Sequence, residues 1–172
     1  MTESPHENNH AVVVYTDGAC DPNPGFGGWA AILLYKGRCR ELSGGERSTT
    51  NNRMEMTAAI KALEALKRRC AVVVSTDSEY LKRGITEWVP VWRRRNWKRK
   101  GGELKNVELW QRLDELTRQH DVQWRWVRGH AGDPLNERCD ELATQEVAKQ
   151  RNHSNEQEAR RPCAPERGAI AK

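Results

Sequence analysis

The sequence predicts a mixed α/β fold, one sheet with helices on both faces, and three observations carry that reading. Val12-Val13-Val14-Tyr15-Thr16-Asp17 and Val72-Val73-Val74-Ser75-Thr76-Asp77 are β-branched runs without polar alternation, as in strands buried on both faces of a helix-covered sheet. Trp29 to Tyr35 and Arg38 to Ser43 read as two more strands joined through Lys36-Gly37, so the chain opens as an antiparallel meander. Helical patterns separate the later strands, which implies parallel pairing through right-handed crossovers and a five-stranded sheet. A chain of 172 residues suits one domain with a proper core.

Taken in order, residues 1–10 are polar and expected as a disordered leader, and the folded domain is expected over 11–149. Asp21-Pro22-Asn23-Pro24-Gly25-Phe26-Gly27-Gly28 is a loop rich in breakers. Thr50 or Asn51 can cap a helix reaching about Arg69, with Met56, Ile60, Leu63 and Leu66 as its apolar stripe and Glu55 off the stripe. After the second valine strand a short helix runs from Ser78 to about Gly84. Another begins near Thr86, where Pro90 fits only within the first turn. Gly101-Gly102 breaks the segment that follows. Asn106 to Gln119 places Val107, Trp110, Leu113 and Leu116 at helical spacing, and Val122 to Val127 is a strand. Beyond the loop Arg128-Gly129-His130-Ala131-Gly132, Asp133 as cap and Pro134 at the first helical position open a helix to about Lys149. Residues 150–172 hold one Ile among Arg, Glu, Asn, Pro and Ala, too little apolar surface to offset ordering entropy, and are expected as a disordered polar tail.

The net charge of +5 is unevenly spread. Lys82 to Lys105 carries nine Lys or Arg against two acids, a local +7 that leaves −2 for the rest, so the positive charge is one patch. Trp88, Trp92 and Trp97 interleave with Arg93, Arg94, Arg95 and Lys98, a mixture suited to phosphate contact with stacking or sugar packing. The five cysteines (Cys20, Cys39, Cys70, Cys139, Cys163) are odd in number and widely spaced, reading as free thiols rather than a disulfide frame or zinc site. The longest apolar run, Trp29 to Tyr35, is too short to span a bilayer, and the first ten residues lack a signal-peptide core. These features lead us to expect a cytoplasmic protein without a membrane partner.

If the two valine strands lie side by side and parallel, Asp17 and Asp77 reach the same carboxyl edge, where open α/β sheets bind ligands. Taken singly, Asp17 opens a turn with Gly18, and Asp77 or Ser78 caps the next helix. Further polar groups shift the balance: Glu55, Asp140, Asn51, Asn52, Asn136 and His130 lie on neighbouring elements, with Asn136 and Asp140 four apart on one helix face. Crowding carboxylates costs about 4 kcal/mol per pair at 4 Å and an effective dielectric near 20, a cost that divalent cations remove. An all-oxygen set suits Mg²⁺ or Mn²⁺. Two such ions can clamp the attacking and leaving oxygens of a phosphoryl displacement.

The strings Tyr15-Thr16-Asp17-Gly18-Ala19-Cys20, Asn51-Asn52-Arg53-Met54-Glu55, Ser75-Thr76-Asp77-Ser78, Gly129-His130-Ala131-Gly132 and Asn136-Glu137-Arg138-Cys139-Asp140-Glu141-Leu142-Ala143 resemble type 1 bacterial ribonuclease H, in order, over roughly Ala11 to Lys149. The resemblance implies a ribonuclease H-like fold and a monomeric endonuclease cutting the RNA strand of RNA–DNA hybrids, leaving 5′-phosphate and 3′-hydroxyl ends, in replication and at R-loops. It implies a quartet, Asp17, Glu55, Asp77 and Asp140, that holds two Mg²⁺ ions, with His130 shuttling protons or helping product leave. By the same resemblance, residues 82–105 are a basic protrusion that grips the hybrid. Cys20, Asn23, Asn51, Asn52 and Glu79 would lie along the minor groove, where the 2′-hydroxyl distinguishes RNA. Asn136 would join the substrate contacts, and Thr50, Arg53 and Asn106 would form a pocket for a DNA-strand phosphate. Two departures bear on groove contacts: Asp21-Pro22 replaces a more glycine-like loop start, and Glu79 stands where the pattern has glutamine. The rival classes are a non-catalytic module binding hybrids or double-stranded RNA, and a phosphorylated receiver-like domain.

Overall fold

The computed structural model describes residues 10–128 and 132–160. Its strands are β1 (Val12–Cys20), β2 (Gly25–Tyr35), β3 (Arg38–Thr49), β4 (Ala71–Thr76) and β5 (Asp121–Trp126). They form one sheet in the order β3-β2-β1-β4-β5. The first three pair antiparallel as the expected meander, while β4 runs parallel to β1 and β5 parallel to β4. Tyr15 pairs with Ser75, so Asp17 and Asp77 both lie two residues beyond the same rung.

The helices are α1 (Asn51–Glu64), α2 (Glu79–Arg83), α3 (Val89–Arg94), α4 (Val107–Gln119) and α5 (Pro134–Ala159), with a π-helical turn at Gly84–Trp88 joining α2 to α3. One sheet face packs Val12, Val14, Val72 and Val74 under Met56, Ile60 and Leu63 of α1 and Trp110, Leu113 and Leu116 of α4. The other face carries Tyr15 and Ile32 against Cys139 of α5, with Val13, Leu34, Leu135 and Leu142 around them. Each large side chain so buried contributes about 1.5–3 kcal/mol, which fixes the strand ends that carry the acids. Among the described residues, Cys20, Cys39, Cys70 and Cys139 are free thiols, and no helix is long and apolar enough to cross a membrane.

Several boundaries differ from the sequence expectation, among them the start of β2 at Gly25 inside the expected loop and of α3 at Val89 rather than near Thr86. Helix α1 stops at Glu64, not near Arg69, because Leu66 N–H takes the Leu63 carbonyl and Cys70 N–H is captured by Nδ1 of the buried His120, turning the chain into β4. Strand β3 continues past Ser43 to Thr49, since β2 begins at Gly25 and pairs with it across an irregularity at Gly25/Gly27. Helix α5 runs to Ala159, ten residues beyond Lys149, so the expectation of disorder from residue 150 is corrected there. Contacts that composition does not reveal hold those added turns: Arg47 of β3 donates to Ser154 and Gln157, and Arg151 donates to Asp21. Residues 1–9 of the expected 1–10 leader, residues 129–131 with His130, and residues 161–172 lie outside the described residues.

Candidate active site

Strand β1 delivers Asp17 almost fully buried, its Oδ1 accepting the Gly18 N–H at 2.8 Å. Gly18 itself lies against the backbone of Met54 and Glu55. Any Cβ there would collide with Glu55 N, so glycine is what lets α1 bring Glu55 beside β1. Helix α1 begins at Thr50, whose Oγ1 accepts the Arg53 N–H at 3.3 Å. Asp77 follows the end of β4. Ser78 next to it caps α2, accepting the Leu81 N–H at 3.1 Å, which bears out the capping role read for that position. One carboxylate oxygen from each of Asp17, Glu55 and Asp77 lies within 4.8 Å of the others. Asp140 on α5 is outside that triad yet near enough for its charge to act on Asp17. Asn136, buried, lies one turn before it on the same face.

Burial pushes the Asp17 carboxyl from 3.8 to about 8, helped by the charges of Asp77, Asp140 and Glu55 and opposed by the Gly18 N–H. Burial likewise raises Glu55 to about 7, with Asp77 adding to the effect, while hydrogen bonds from the Ser78 hydroxyl and the Asn51 side chain pull the other way. Without a cation, protons therefore compete for this site at neutral pH. Three converging oxygens with no sulfur or imidazole fit a hard divalent ion.

Of the residues expected along the groove, Cys20, Asn23 and Asn51 are held by hydrogen bonds. The Cys20 thiol donates to the carbonyls of Pro22 (3.3 Å) and Thr49 (3.4 Å), and Asn23 Oδ1 accepts the Asn51 N–H at 3.2 Å. Asn52 is exposed on the first turn of α1, and Glu79 is the exposed first residue of α2. Thr50, Arg53 and Asn106 also come together: Arg53 Nη1 donates to Asn106 Oδ1 at 3.0 Å and to Glu108 Oε1 at 2.6 Å. Asn106 adopts the left-handed conformation (φ 57°) at the head of α4 and donates to the Tyr80 hydroxyl.

The RNase H family model matches residues 9–148. The chain belongs to the ribonuclease H family. Its sequence is 62% identical over 139 residues to ribonuclease H of Pseudomonas paraeruginosa, covering 80% of this chain and 94% of that one. It is 56% identical over 143 residues to ribonuclease H of Thiobacillus denitrificans, covering 83% and 97%. Among solved structures it resembles LC9-RNase H1, a type 1 enzyme with the type 2 active-site motif, at a TM-score of 0.74 and 36% identity, covering 87% of this chain and 76% of that one. LC11-RNase H1, solved with an RNA/DNA hybrid, shares the fold at a TM-score of 0.60 and 23% identity, covering 80% and 97%.

In this ribonuclease H the tryptophans of the basic segment, Trp88, Trp92 and Trp97, are half-buried and packed against the core. Trp88 and Trp92 turn onto the fully buried Trp110, at ring separations of 6.2 and 6.1 Å, and Trp97 leans on Trp92 at 6.4 Å. Tyr80 closes the cluster at 5.3 Å from Trp110. Burial of large rings favours this packing, which extends the core that Val89 of α3 already enters. Arg93 is paired by two hydrogen bonds to Asp114, a side chain only 3% exposed that also takes Arg118. Arg93, Arg94, Arg95 and Lys98 are all exposed to solvent. Three contributors escaped the sequence reading: the Ser78 hydroxyl as a Glu55 partner, the buried Asp114, and Trp126, whose Nε1 donates to the Asp77 carbonyl at 3.2 Å with Lys82 stacked 5.4 Å from its ring centre. The Trp-Arg-Trp alternation of β5 was the available signal for Trp126; nothing in sequence spacing announces the pairing of Asp114 with Arg93.

Proposed function

We propose that this ribonuclease H hydrolyses the RNA strand of RNA–DNA hybrids by Mg²⁺-dependent phosphodiester cleavage, leaving 5′-phosphate and 3′-hydroxyl ends. The observation that carries it is the meeting of the Asp17, Glu55 and Asp77 carboxylates at the sheet edge. Asp17, Glu55, Asp77 and Asp140 would hold two Mg²⁺, or Mn²⁺, which when bound supply charge for both the attacking and leaving oxygens. The protein's own part is positioning: Gly18, Ser78 and Asn51 aim the Asp17 and Glu55 oxygens, and Trp126 fixes the backbone of Asp77. His130 is assigned proton transfer or product release.

Selection for RNA falls to short polar groups along the minor groove, namely Cys20, Asn23, Asn51, Asn52 and Glu79, with Asn136 beside the reacting phosphate. Thr50, Arg53 and Asn106 take a phosphate of the DNA strand, and Arg94, Arg95 and Lys98 contact phosphates farther along. The convergence of Asp17, Glu55 and Asp77 within one protomer is compatible with action as a monomer, and the free cysteines with a reducing cytoplasm. The cellular role assigned is removal of RNA from replication intermediates and R-loops.

Labelled RNA–DNA hybrid, duplex DNA and duplex RNA, each with Mg²⁺ or EDTA, form the test. Cutting confined to the RNA strand of the hybrid, abolished by EDTA and reduced at least about 100-fold by Asp77→Asn, is expected. Binding of hybrid without cutting would install the non-catalytic alternative.

A further inference from the structure

The last turns of α5 are seated on the sheet, and one of their side chains reaches the loop that faces the groove. Gln150 packs over Gly45, and Arg47 donates to Gln157 Oε1 at 2.7 Å and Ser154 Oγ at 3.0 Å. Arg151 Nη2 donates at 2.9 Å to the Asp21 carbonyl and at 3.2 Å to its carboxylate. All these helix residues lie beyond residue 148, where the family match ends. Asp21 begins the loop for which the resemblance implies a more glycine-like start, and a hydrogen-bonded ion pair joins it to the part of α5 beyond the family match.

That loop has few other fixed points. Its Asp21 N–H bonds the Phe26 carbonyl at 2.9 Å, Cys20 is tied to Thr49, and Asn23 is tied to the first residue of α1. The Asp21 carboxylate is 79% exposed and would meet nucleic-acid phosphates as a like charge if left alone. A guanidinium at its side both cancels that charge and grips the backbone at the start of the turn.

We propose that Arg151, carried by the helical extension 150–159, is a positioning residue: it braces the Asp21–Pro24 loop and neutralises Asp21, so that Cys20 and Asn23 meet the hybrid's minor groove in register. The brace rests on the hybrid-cleaving reading above for its functional effect, but not for its effect on the free protein. An exposed pair of this kind is worth at most about 1 kcal/mol, so the expected consequence is a binding defect of about three- to fivefold.

The test compares Arg151→Ala, Arg151→Lys, Asp21→Asn and Asp21→Asn/Arg151→Ala in the full chain. Hydrogen exchange on the free protein reads the brace without substrate: Arg151→Ala must speed exchange of the Asp21 amide, which bonds the Phe26 carbonyl, and Arg151→Lys must restore protection. On hybrid, Arg151→Ala raises KM about three- to fivefold with kcat within about twofold. Its effect shrinks in the Asp21→Asn background, because much of what Arg151 corrects is then gone. Unchanged exchange, an unchanged KM, or a defect equally large beside Asp21→Asn and accompanied by a salt slope lower by about 0.9, the mark of a direct phosphate contact, would each overturn the proposal. Failure of the parent protein to cut hybrid at all would instead count against the substrate reading.

Discussion

Asp17→Asn should stabilise the metal-free protein at pH 8 and do nothing for it at pH 4. The Asp17 carboxyl stands at about 8 in the fold against an ordinary 3.8, chiefly because β1 buries it and then because of Asp77, Asp140 and Glu55. A group raised in this way is protonated in the native state and ionised in the unfolded one across that interval. Native protein therefore binds more protons, and stability is full below about pH 4, falls as pH rises, and is gone by about pH 8. At about 1.4 kcal/mol per pH unit the ceiling is near 5 to 6 kcal/mol. Sodium ions collecting in the cleft, and transfer of the remaining proton to Glu55, itself at about 7, lower this to about 2–3 kcal/mol. Asparagine keeps the size and polarity and removes the charge. Urea denaturation in EDTA from pH 4 to 8 measures the gain, and Mg²⁺ at about 5 mM should shrink it by stabilising the parent instead. A variant advantage independent of pH, or a variant less stable than the parent at pH 8, would refute the electrostatic account of this site.

Gly84→Ala should cost about 2–3 kcal/mol of stability, seen in urea denaturation, because the added methyl would press into the Trp110 indole at the centre of the aromatic cluster. Arg94→Ala with Arg95→Ala should lower the log–log salt slope of hybrid binding by about 0.9 for each phosphate no longer neutralised, with turnover at saturating substrate little changed. Arg93→Ala should in addition destabilise by about 1 kcal/mol, since it removes one of the two guanidiniums on the buried Asp114 carboxylate and leaves Arg118 as its partner. Glu79→Gln should tighten hybrid binding and even out cleavage over a randomised hybrid, since glutamine can donate to purine N3 or pyrimidine O2 and glutamate cannot; identical cleavage profiles would remove Glu79 from the groove.

What the sequence made legible was whatever depends on local pattern. The valine runs announced β1 and β4, and because both end in Thr-Asp, the parallel register that aligns Tyr15 with Ser75 was nearly implied. Caps at Thr50, Ser78 and Asp133 are short-range chemistry and appear where side-chain type puts them. The failures share a cause of the opposite kind. Residues 150–159 look unfoldable by composition, yet they are ordered by partners more than a hundred positions away, Arg47 and Asp21. The tryptophans of residues 88–97 show the same limit, since the packing of Trp88 and Trp92 on Trp110 of α4 is a contact that spacing along the basic segment does not announce.

The same distinction explains how four acids can be gathered at all. Neither valine strand knows about the charge at its end; each is fixed by apolar neighbours on the helix-covered face, where Val14 and Val74 are wholly buried. That burial is spread over many side chains and insensitive to pH, whereas the repulsion at the edge is concentrated in a few groups and disappears on protonation or cation binding. A site whose penalty exceeded what the local edge could bear would relax by splaying β1 from β4, but the register below Asp17 and Asp77 is locked at four successive pairs. The strain has only one other outlet, the occupancy of the site. The fold thus converts the stability of its core into affinity for whatever cation or proton relieves the edge, where the Ser78 and Asn51 side chains hydrogen-bond Glu55 and favour its charged form.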